Sequence, residues 1–276
     1  MNLLTDYHVH MIETGDFSVD YLRKYLEKAE QAGIKELGIS EHAYFFQEAA
    51  NILTNEWAKE RRAKNGQVME DYLALFERAK EAGLHVKMGI EMDYIPGKEE
   101  EIQRFIEAYP FDYVIGSVHW IGDWGIDLAI HRHLYDERDI NEAYRAYFDQ
   151  VVTLAESQLF DFVGHIDLIK IFKFKPADQA FLEAEYDRVV EALAKSGTSI
   201  EISTAGLRKP VGEIYPDPLL LKKCYDAGVT IVLSSDAHEP EHVGYAYQQA
   251  IELARSVGYS EIQVIAQRKK ETHPLG

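Results

Sequence analysis

Short apolar runs alternate with longer amphipathic segments along the chain, and this pattern predicts repeated strand–helix units. The predicted strands are residues 3–8, 36–40, 85–91, 113–119, 160–165, 198–203 and 230–235. The predicted helices are residues 19–32, 68–82, 99–108, 141–157, 177–195, 218–227 and 243–257. Short apolar strands that alternate with helices are typical of a parallel sheet whose faces are covered by those helices.

An open doubly wound sheet and a closed barrel both fit this alternation. An open sheet places its site at one switch point, whereas a barrel gathers residues from nearly every strand at one face. Side chains suited to ligation follow almost every strand here, so we predict an α/β fold, a distorted TIM-like barrel of seven strand–helix units with its site at the C-terminal ends of the strands. No linker divides residues 1–276, which favours a single barrel domain. The long connections 43–67 and 120–140 are expected to shape the substrate pocket.

Composition limits the classes of partner. The 276 residues include 29 basic and 47 acidic side chains, so the formal net charge is −18. Such a chain has no electrostatic reason to bind nucleic acid or an anionic membrane, which favours a small-molecule partner. We see no signal-peptide pattern and no apolar run long enough to span a bilayer, so we expect a cytoplasmic protein. The single cysteine, Cys224, excludes an internal disulfide and is expected to be structural.

A histidine or a carboxylate stands where six of the predicted strands end. Neutral imidazoles and carboxylates are the ligands that borderline divalent metals prefer. Gathered at one end of a barrel, they would hold two or three divalent ions (Zn, Mn, Fe or Co) around one substrate, an arrangement suited to the hydrolysis of a phosphate ester. The side chains are His8, His10, His42, Glu91, His119, His165, Asp236 and His238.

Spacing supports several of these ligands. His8 and His10 are two residues apart and therefore point to the same side of an extended strand. Asp236 and His238 repeat this spacing after the last strand, which neighbours the first strand in a closed barrel. The carboxylate of Glu91 has two oxygens and can bridge two ions. Each residue alone also fits a hydrogen-bonded structural histidine or a solvated charge, and it is their shared position at strand ends that favours a metal site.

The second strand and the first loop leave alternatives open. Glu41 and His42 point in opposite directions on an extended strand, so we assign His42 as the ligand and Glu41 as a group that orients it. Glu13 and Asp16, in the loop after the first strand, are candidates for a third ion.

Two further histidine patterns compete with this interpretation. His131 and His133 also stand two apart, but in a predicted loop, where they either contact substrate or are solvated. His238 to His242 match the His-Glu-x-x-His pattern of zinc proteases, which needs both histidines on one face of a helix. Because His238 follows a strand and Pro240 disfavours helix before it, we reject the protease hypothesis.

Phosphate recognition must come from metals and cationic side chains, since no glycine-rich phosphate loop is present. Arg208 and Lys209 follow the sixth strand on the same face as the predicted ligands. The planar guanidinium of arginine suits a phosphate, although a pair of solvated cations is the alternative. A histidine base supplies only roughly 10²–10⁴-fold acceleration, and phosphate monoester hydrolysis is accelerated by up to ~10²¹-fold. Metal ions that activate a water must therefore carry most of the catalysis.

Several of these motifs together resemble one known superfamily. They are His8-x-His10 and residues 89–97, 116–119, 164–167 and 235–238. The motifs are similar to those of the PHP (polymerase and histidinol phosphatase) superfamily, and residues 204–210 and 213–216 resemble its histidinol-phosphatase branch. The resemblance runs from Asp6 to about Gly258. It implies a distorted (β/α)7 barrel with up to three metal ions and the hydrolysis of L-histidinol phosphate, the penultimate stage of histidine biosynthesis.

The resemblance also implies how the ligands are shared. One metal would take His8, His10, Glu91 and Asp236. A second would take Glu91, His119 and His165, and a third would take His42 and His238 with a residue of the loop after the first strand. Family members often place a histidine six residues after the second motif histidine, where this chain has Asp16 as a plausible oxygen ligand.

For the reaction we expect catalytic roles for Glu91, Asp236, His238 and Arg208. The expected substrate contacts are Arg208 and Lys209 to phosphate, Glu41 or Asp93 to the amine of histidinol, and Trp120, Tyr44 or Phe45 beside its imidazole. Two alternatives stay open: a phosphoesterase for a nucleotide or another small ester, and a non-catalytic interaction domain that metals stabilise.

Overall fold

Seven parallel strands follow one another around a sheet that nearly closes on itself. The computed structural model describes residues 3–11 and 17–275, so the predicted ligands Glu13 and Asp16 lie outside the described residues. The strands are β1 Thr5–Asp6, β2 Glu36–Ile39, β3 Lys87–Asp93, β4 Tyr113–Ser117, β5 Trp120–Ile121, β6 Trp124–Gly125, β7 Phe162–Val163, β8 Ser199–Ser203, β9 Ile231–Ser234, β10 Glu261–Ala266 and β11 Lys269–Pro274. The large sheet has the order β1-β2-β3-β4-β7-β8-β9, and every neighbouring pair in it is parallel.

Helices follow the strands of this sheet along the chain. They are α1 Val19–Gln31, α2 Glu56–Asn65, α3 Met69–Glu81, α4 Glu99–Glu107, α5 Ile140–Ser157, α6 Gln179–Ser196, α7 Pro218–Asp226 and α8 Tyr247–Val257. Local signals set their ends, as α1 shows: the Ser18 hydroxyl accepts the backbone N–H of Tyr21, and Gly33 follows the helix with φ +76°. That left-handed conformation favours glycine, which is why a glycine was a reliable stop signal in the sequence.

The first and last strands meet just beyond their regular ends. The backbone N–H of His10 donates to the carbonyl of Ala237 at 2.7 Å, and the N–H of Ala237 donates to the carbonyl of His8 at 3.1 Å. These bonds close the sheet at its C-terminal rim and confirm the predicted TIM-like barrel of seven strands. The closure also places the ligands predicted after the first and last strands next to each other.

Several strands end earlier than predicted, and the reason is visible at the site. We expected the fifth strand at residues 160–165, but β7 contains only Phe162–Val163. The next turn takes His165 to φ +24°, and its backbone N–H donates to the carboxylate of Glu201 at 2.6 Å instead of continuing the ladder. The strand therefore ends where its backbone N–H bonds to a side chain of the polar cluster instead of to the neighbouring strand.

Helix α2 lies in the connection that we predicted as a long loop. Its buried residues are only Ala58 and Arg62, so it carries no apolar stripe that a periodicity analysis can detect. Arg62 fastens it instead, because the guanidinium donates to the carbonyls of Tyr44 at 3.1 Å and Leu53 at 2.9 Å. The helix thus forms a fixed wall beside the C-terminal rim of the barrel.

The C-terminal segment forms the antiparallel hairpin β10–β11. Ile265 of β10 belongs to a small apolar cluster with Tyr7, Tyr113, Ile115, Phe162 and Val232. Its backbone N–H also donates to the hydroxyl of Tyr7 at 3.1 Å. The hairpin therefore packs on side chains of β4, β7 and β9, a contact between distant parts of the chain that has no local signal.

The position of Cys224 agrees with the structural role expected from the sequence. Cys224 is buried in α7, and burial raises the pKa of its thiol to about 12, so it is a packed side chain and no nucleophile. None of the helices in the described part of the chain combines the length and apolar character needed to cross a lipid bilayer.

The interior of the barrel is packed around Tyr113. A Cβ added to Gly89 would lie 2.2 Å from ring carbon Cζ of Tyr113, and a Cβ on Gly38 would lie 2.2 Å from its hydroxyl oxygen. The fully buried Tyr113 ring therefore leaves no room for a side chain at either glycine.

We expect Gly89→Ala to destabilise the protein by ~1–3 kcal/mol through overpacking against the Tyr113 ring. Denaturant unfolding of the single and double variants measures this effect. Tyr113→Leu should lower the free energy of unfolding by less in the Gly89→Ala background than in the wild type, because leucine removes the clash between the ring and the new methyl group. Strictly additive losses would show that the ring is not what excludes the methyl group.

Candidate metal centre

The buried carboxylate of Glu91 in β3 lies among five imidazole rings. Its Oε2 is 2.6 Å from Nδ1 of His42, and its Oε1 is 3.1 Å from Nε2 of His165. Nε2 of His8 is 3.3 Å from Oε1, and Nε2 of His119 is 3.5 Å from the same oxygen. Nε2 of His10 is 3.6 Å from Oε2. The barrel thus brings together predicted ligands from the ends of five different strands.

Asp236 and His238, which follow β9, extend the cluster on the side where the barrel closes. Oδ1 of Asp236 is 3.5 Å from Nε2 of His10, 3.8 Å from Nε2 of His8 and 3.7 Å from Nε2 of His238. Asp236 has φ +50°, a left-handed conformation that non-glycine residues seldom adopt. The direction of its carboxylate therefore depends on an uncommon backbone turn.

Three groups in the cluster have the spacing that a bound cation needs. In each group, one ligand atom per residue lies within 4.8 Å of the others. The groups are His8 with His10 and Asp236, His8 with Glu91 and His165, and His10 with His42 and His238. His119 stands beside the second group, with its Nε2 3.3 Å from Nε2 of His165.

Carboxylates behind the cluster fix the orientation of two rings. Nδ1 of His8 is 2.7 Å from Oε1 of Glu201, and Nδ1 of His119 is 2.9 Å from Oδ1 of Asp93. A histidine that shares one ring nitrogen with a carboxylate presents the other to a metal in a fixed tautomer and direction, and the carboxylate makes it a stronger ligand.

The surroundings of His8 fit a bound cation. Its Nε2 is buried and makes no hydrogen bond with any residue in the described ranges 3–11 and 17–275. This nitrogen faces Oε1 of Glu91 at 3.3 Å and Oδ1 of Asp236 at 3.8 Å. An imidazole nitrogen that faces two carboxylates in a buried site is suited to a positive charge between them, and histidine with carboxylate is a donor set for zinc and similar divalent ions.

The electrostatics keep the acids of the cluster charged. Burial alone would raise the pKa of Glu91, but His8, His42 and His119 together hold it well below its usual value. Burial lowers the pKa of His119, yet Glu91 and Asp93 outweigh this effect and raise it to about 10. Metal ligands bind in their deprotonated forms, so a cation that enters this cluster displaces protons from its histidines.

Glu201 is a buried acid of the site that the sequence interpretation missed. It is fully buried in β8, and besides His8 it accepts the backbone N–H of His165 and the hydroxyl of Ser234. A signal was present in the sequence, since Ile200-Glu201-Ile202 places a carboxylate in the middle of an otherwise apolar strand. A charged group there has to be paired, because an isolated buried charge is strongly unfavourable.

The two predicted phosphate contacts, Arg208 and Lys209, have different surroundings. Nη2 of Arg208 donates to the carbonyls of Ser235 at 2.7 Å and Asp236 at 2.9 Å, and its guanidinium lies over the ring of Tyr245. Arg208 therefore holds the turn that carries the Asp236 carboxylate. Lys209 lines the cavity in front of the cluster.

That cavity has a volume of about 350 Å³, and His42, His119, His165, Asp236 and His238 form its polar side. Trp120, predicted beside the substrate, lines it, as does Tyr44.

The two acids expected at the substrate amine are placed elsewhere. Oε1 of Glu41 accepts the backbone N–H of Met11 at 2.6 Å, and Asp93 is bonded to His119. Both are buried and neither lines the cavity, so we correct their assignment from substrate contacts to groups behind the ligands. Phe45 is also buried and does not line the cavity.

The competing histidine patterns do not form sites of their own. Nδ1 of His131 accepts the backbone N–H of Gly125 at 3.0 Å, and His133 lies beside the carbonyl of Ile130, so neither lines the cavity. The segment of the protease-like pattern forms only a single 3₁₀ turn, Pro240–His242, which places no pair of histidines on a helix face.

Comparison with known proteins agrees with this geometry. The PHP domain family matches residues 6–205, and the chain therefore belongs to the PHP domain family. This confirms the resemblance inferred from the strand-end motifs.

Two curated relatives match nearly the full length. A probable histidinol-phosphatase of Deinococcus radiodurans is 33% identical over 94% of this chain and 95% of its own length. A histidinol-phosphatase of Bacillus subtilis is 27% identical over 90% of this chain and 98% of its own. Among solved structures, the histidinol phosphate phosphatase of Lactococcus lactis, complexed with Zn, L-histidinol and phosphate, superimposes with a TM-score of 0.74. It covers 97% of this chain and 98% of its own at 24% identity, a similarity that establishes the fold.

The contacts of Glu201 generate a prediction. We expect Glu201→Gln to weaken divalent-metal affinity by roughly 10- to 100-fold, because the amide no longer holds His8 with a charged acceptor. Titration of the metal-stripped protein with Zn²⁺ or Mn²⁺, followed by elemental analysis, measures this. Glu185→Gln is the matched control, since Glu185 is a buried acid on α6 that pairs with Arg145 and Arg188. Equal affinities in the wild type and Glu201→Gln would contradict the role of Glu201.

Proposed function

We propose that the chain is a metal-dependent phosphomonoesterase that hydrolyses L-histidinol phosphate to L-histidinol and phosphate. The observation that carries this proposal is the convergence of imidazoles and acids on Glu91 and Asp236, beside a cavity large enough for a small ester. The names of the relatives that match nearly the whole chain support the substrate.

We propose two or three divalent ions as cofactors, of the kind that imidazole and carboxylate select, such as Zn, Mn, Fe or Co. The first would be held by His8, His10, Glu91 and Asp236. The second would be held by Glu91, His119 and His165, and the third by His42 and His238 with Asp16. The zinc in the Lactococcus lactis structure supports this class of metal.

Bound ions would supply Lewis-acid stabilisation of the phosphoryl oxygens and an activated water. The chain contributes the arrangement around that chemistry. Neighbouring histidines hold the pKa values of Glu91 and Asp236 low, so both carboxylates stay negatively charged in the cluster. Glu201 fixes the ring of His8, and Asp93 fixes the ring of His119.

The cationic side chains have separate tasks in this proposal. Lys209, at the cavity wall, neutralises phosphate oxygens, and His238 lines the same wall next to Asp236. Arg208 is one step removed, because it does not line the cavity and its Nη2 holds the backbone of the turn at Asp236. Its Nη1 is buried without a hydrogen-bond partner among the described residues, so its effect on phosphate runs through the position of the Asp236 carboxylate. Trp120 forms part of the apolar wall that limits water around the ester.

We further propose that residues 1–276 form one domain that works in the cytoplasm on a small phosphate ester and on neither nucleic acid nor a membrane. The net charge of −18 supports this choice of partner, since polyanions are repelled.

The proposed substrate is tested by phosphate release. We expect L-histidinol phosphate to be hydrolysed with a kcat/KM at least ten-fold above that of a panel containing AMP, glycerol phosphate and p-nitrophenyl phosphate. A higher kcat/KM for a nucleotide or another ester would replace the substrate, and no turnover of any ester by the metal-loaded protein would refute the enzymatic function.

Metal dependence has its own test. Dialysis against a chelator should abolish phosphate release, and stoichiometric Zn²⁺, Mn²⁺, Fe²⁺ or Co²⁺ should restore it, because protonated histidines can balance the buried acids but cannot supply the Lewis-acid chemistry of the ions. Asp236→Asn should lose most of the activity at any metal concentration. Full activity in a sample that elemental analysis shows to be metal-free would overturn the mechanism.

A further inference from the structure

Side chains of the two long connections, 43–67 and 120–140, which the sequence predicted to shape the pocket, line the cavity beside the metal cluster. Trp57 and Arg61 of α2, one helical turn apart, line the cavity, and Trp120 of β5 lies beside them. The rings of Trp57 and Trp120 are 5.3 Å apart, and Tyr44 joins Trp57 at 5.0 Å. Because Tyr44 also stacks on His42 at 4.7 Å, the aromatic wall runs continuously from the metal cluster outwards.

One carboxylate stands in this wall. Asp127, just after the hairpin β5–β6, lines the cavity and is partly exposed. It has no hydrogen bond and no ion pair with any residue in the part of the chain that the structure describes. The cavity-lining carboxylates among the described residues are Asp127 and Asp236, and Asp236 belongs to the metal cluster.

The backbone holds Asp127 in place. The N–H of Ile126 donates to the carbonyl of His119 at 2.9 Å, and the N–H of Leu128 donates to the carbonyl of Gly125 at 3.3 Å. The hydroxyl of Tyr135 donates to the carbonyl of Ile126 at 2.9 Å, and Ile126 is fully buried. The backbone on both sides of Asp127 is therefore held, and Ile126 bonds directly to the backbone of His119, a candidate metal ligand. The Asp127 carboxylate stands on this held backbone at the cavity.

The charged side chains around the cavity divide by sign into two sets. Lys209 and the metal cluster suit the phosphate, whereas Asp127 suits a cationic group. The guanidinium of Arg61 lies over the Trp57 ring, 5.0 Å from its centroid, and among the described residues it forms no ion pair with Asp127. A ligand that carries a phosphate and an ammonium close together matches this division.

We infer that Asp127 binds the ammonium group of the substrate and determines specificity for amino-alcohol phosphates, with Trp57 and Trp120 flanking the attached ring. This inference rests on the proposed function and deepens it. The ammonium of L-histidinol phosphate donates to the Asp127 carboxylate in a partly water-excluded cavity, where a charge-assisted hydrogen bond is stronger than in water.

Asp127→Asn tests this assignment, because the amide keeps the shape and removes the charge. We expect kcat/KM for L-histidinol phosphate to fall roughly 10- to 100-fold, mainly through KM. The affinity for L-histidinol, measured by calorimetry on the metal-loaded protein, should fall by a similar factor. The affinity for inorganic phosphate and kcat/KM for p-nitrophenyl phosphate should change less than about two-fold, because neither ligand carries an ammonium group.

Asp123→Asn is the matched control. Asp123 lies in the turn of the same hairpin, is exposed and does not line the cavity, so the same loss of charge there should leave every measurement unchanged. An equal loss for L-histidinol and inorganic phosphate in Asp127→Asn would show that the residue acts on the metal site and would overturn the inference. Unchanged affinity for L-histidinol would also overturn it.

The two proposals fail in different ways. A wild-type protein that releases no phosphate from L-histidinol phosphate refutes the proposed function. A wild-type protein that does release it, together with an Asp127→Asn variant of equal kcat/KM, refutes the role of Asp127 alone.

Discussion

A buried carboxylate among imidazole rings is the constraint on which the site depends. Glu91 is almost fully inaccessible, and its two oxygens meet ring nitrogens that reach it from four other strand ends. Removing such a charge from water is costly unless opposite charge or strong hydrogen bonds surround it. The histidines supply this compensation when they are protonated, and divalent cations supply it when the histidines act as neutral ligands.

The barrel is the architecture that makes this concentration of polar groups possible. Parallel strands present their C-terminal ends at one rim, so each strand can end in one ligand while its body stays apolar. The hydrogen bonds between residues 8, 10 and 237 close the rim and bring the first and last ligand pairs together. At the other end, the fully buried ring of Tyr113 and the C-terminal hairpin fill the interior.

The groups behind the ligands show a second layer of organisation. Glu201 and Asp93 hold rings, Glu41 holds the backbone at Met11, and Arg208 holds the turn at Asp236. The acids accept hydrogen bonds and Arg208 donates them, in each case with a candidate ligand or with backbone next to one, so these residues set direction rather than supply ligands. Beyond the cluster, side chains of α2 and of the β5–β6 hairpin line the cavity.

The amino-acid sequence by itself determined the strand–helix alternation, the glycine stops and the chemistry at the strand ends. These features are local: a period of hydrophobicity, a left-handed turn and a ligand type are each written within a few neighbouring residues. The family motifs were local as well, and they led to the same cluster.

Only the tertiary structure decided which groups meet. The pairing of Glu201 with His8 joins residues 193 positions apart, and no local pattern encodes it. Helix α2 is fastened by the buried guanidinium of Arg62 rather than by an apolar stripe, so its sequence lacks the usual periodicity. Asp93 and Glu41 carry the negative charge expected of a contact to the substrate amine, but they lie behind the candidate ligands. Asp127 lines the cavity instead. Side-chain direction at a strand end depends on where the backbone turns, and the packing of the whole barrel sets that turn.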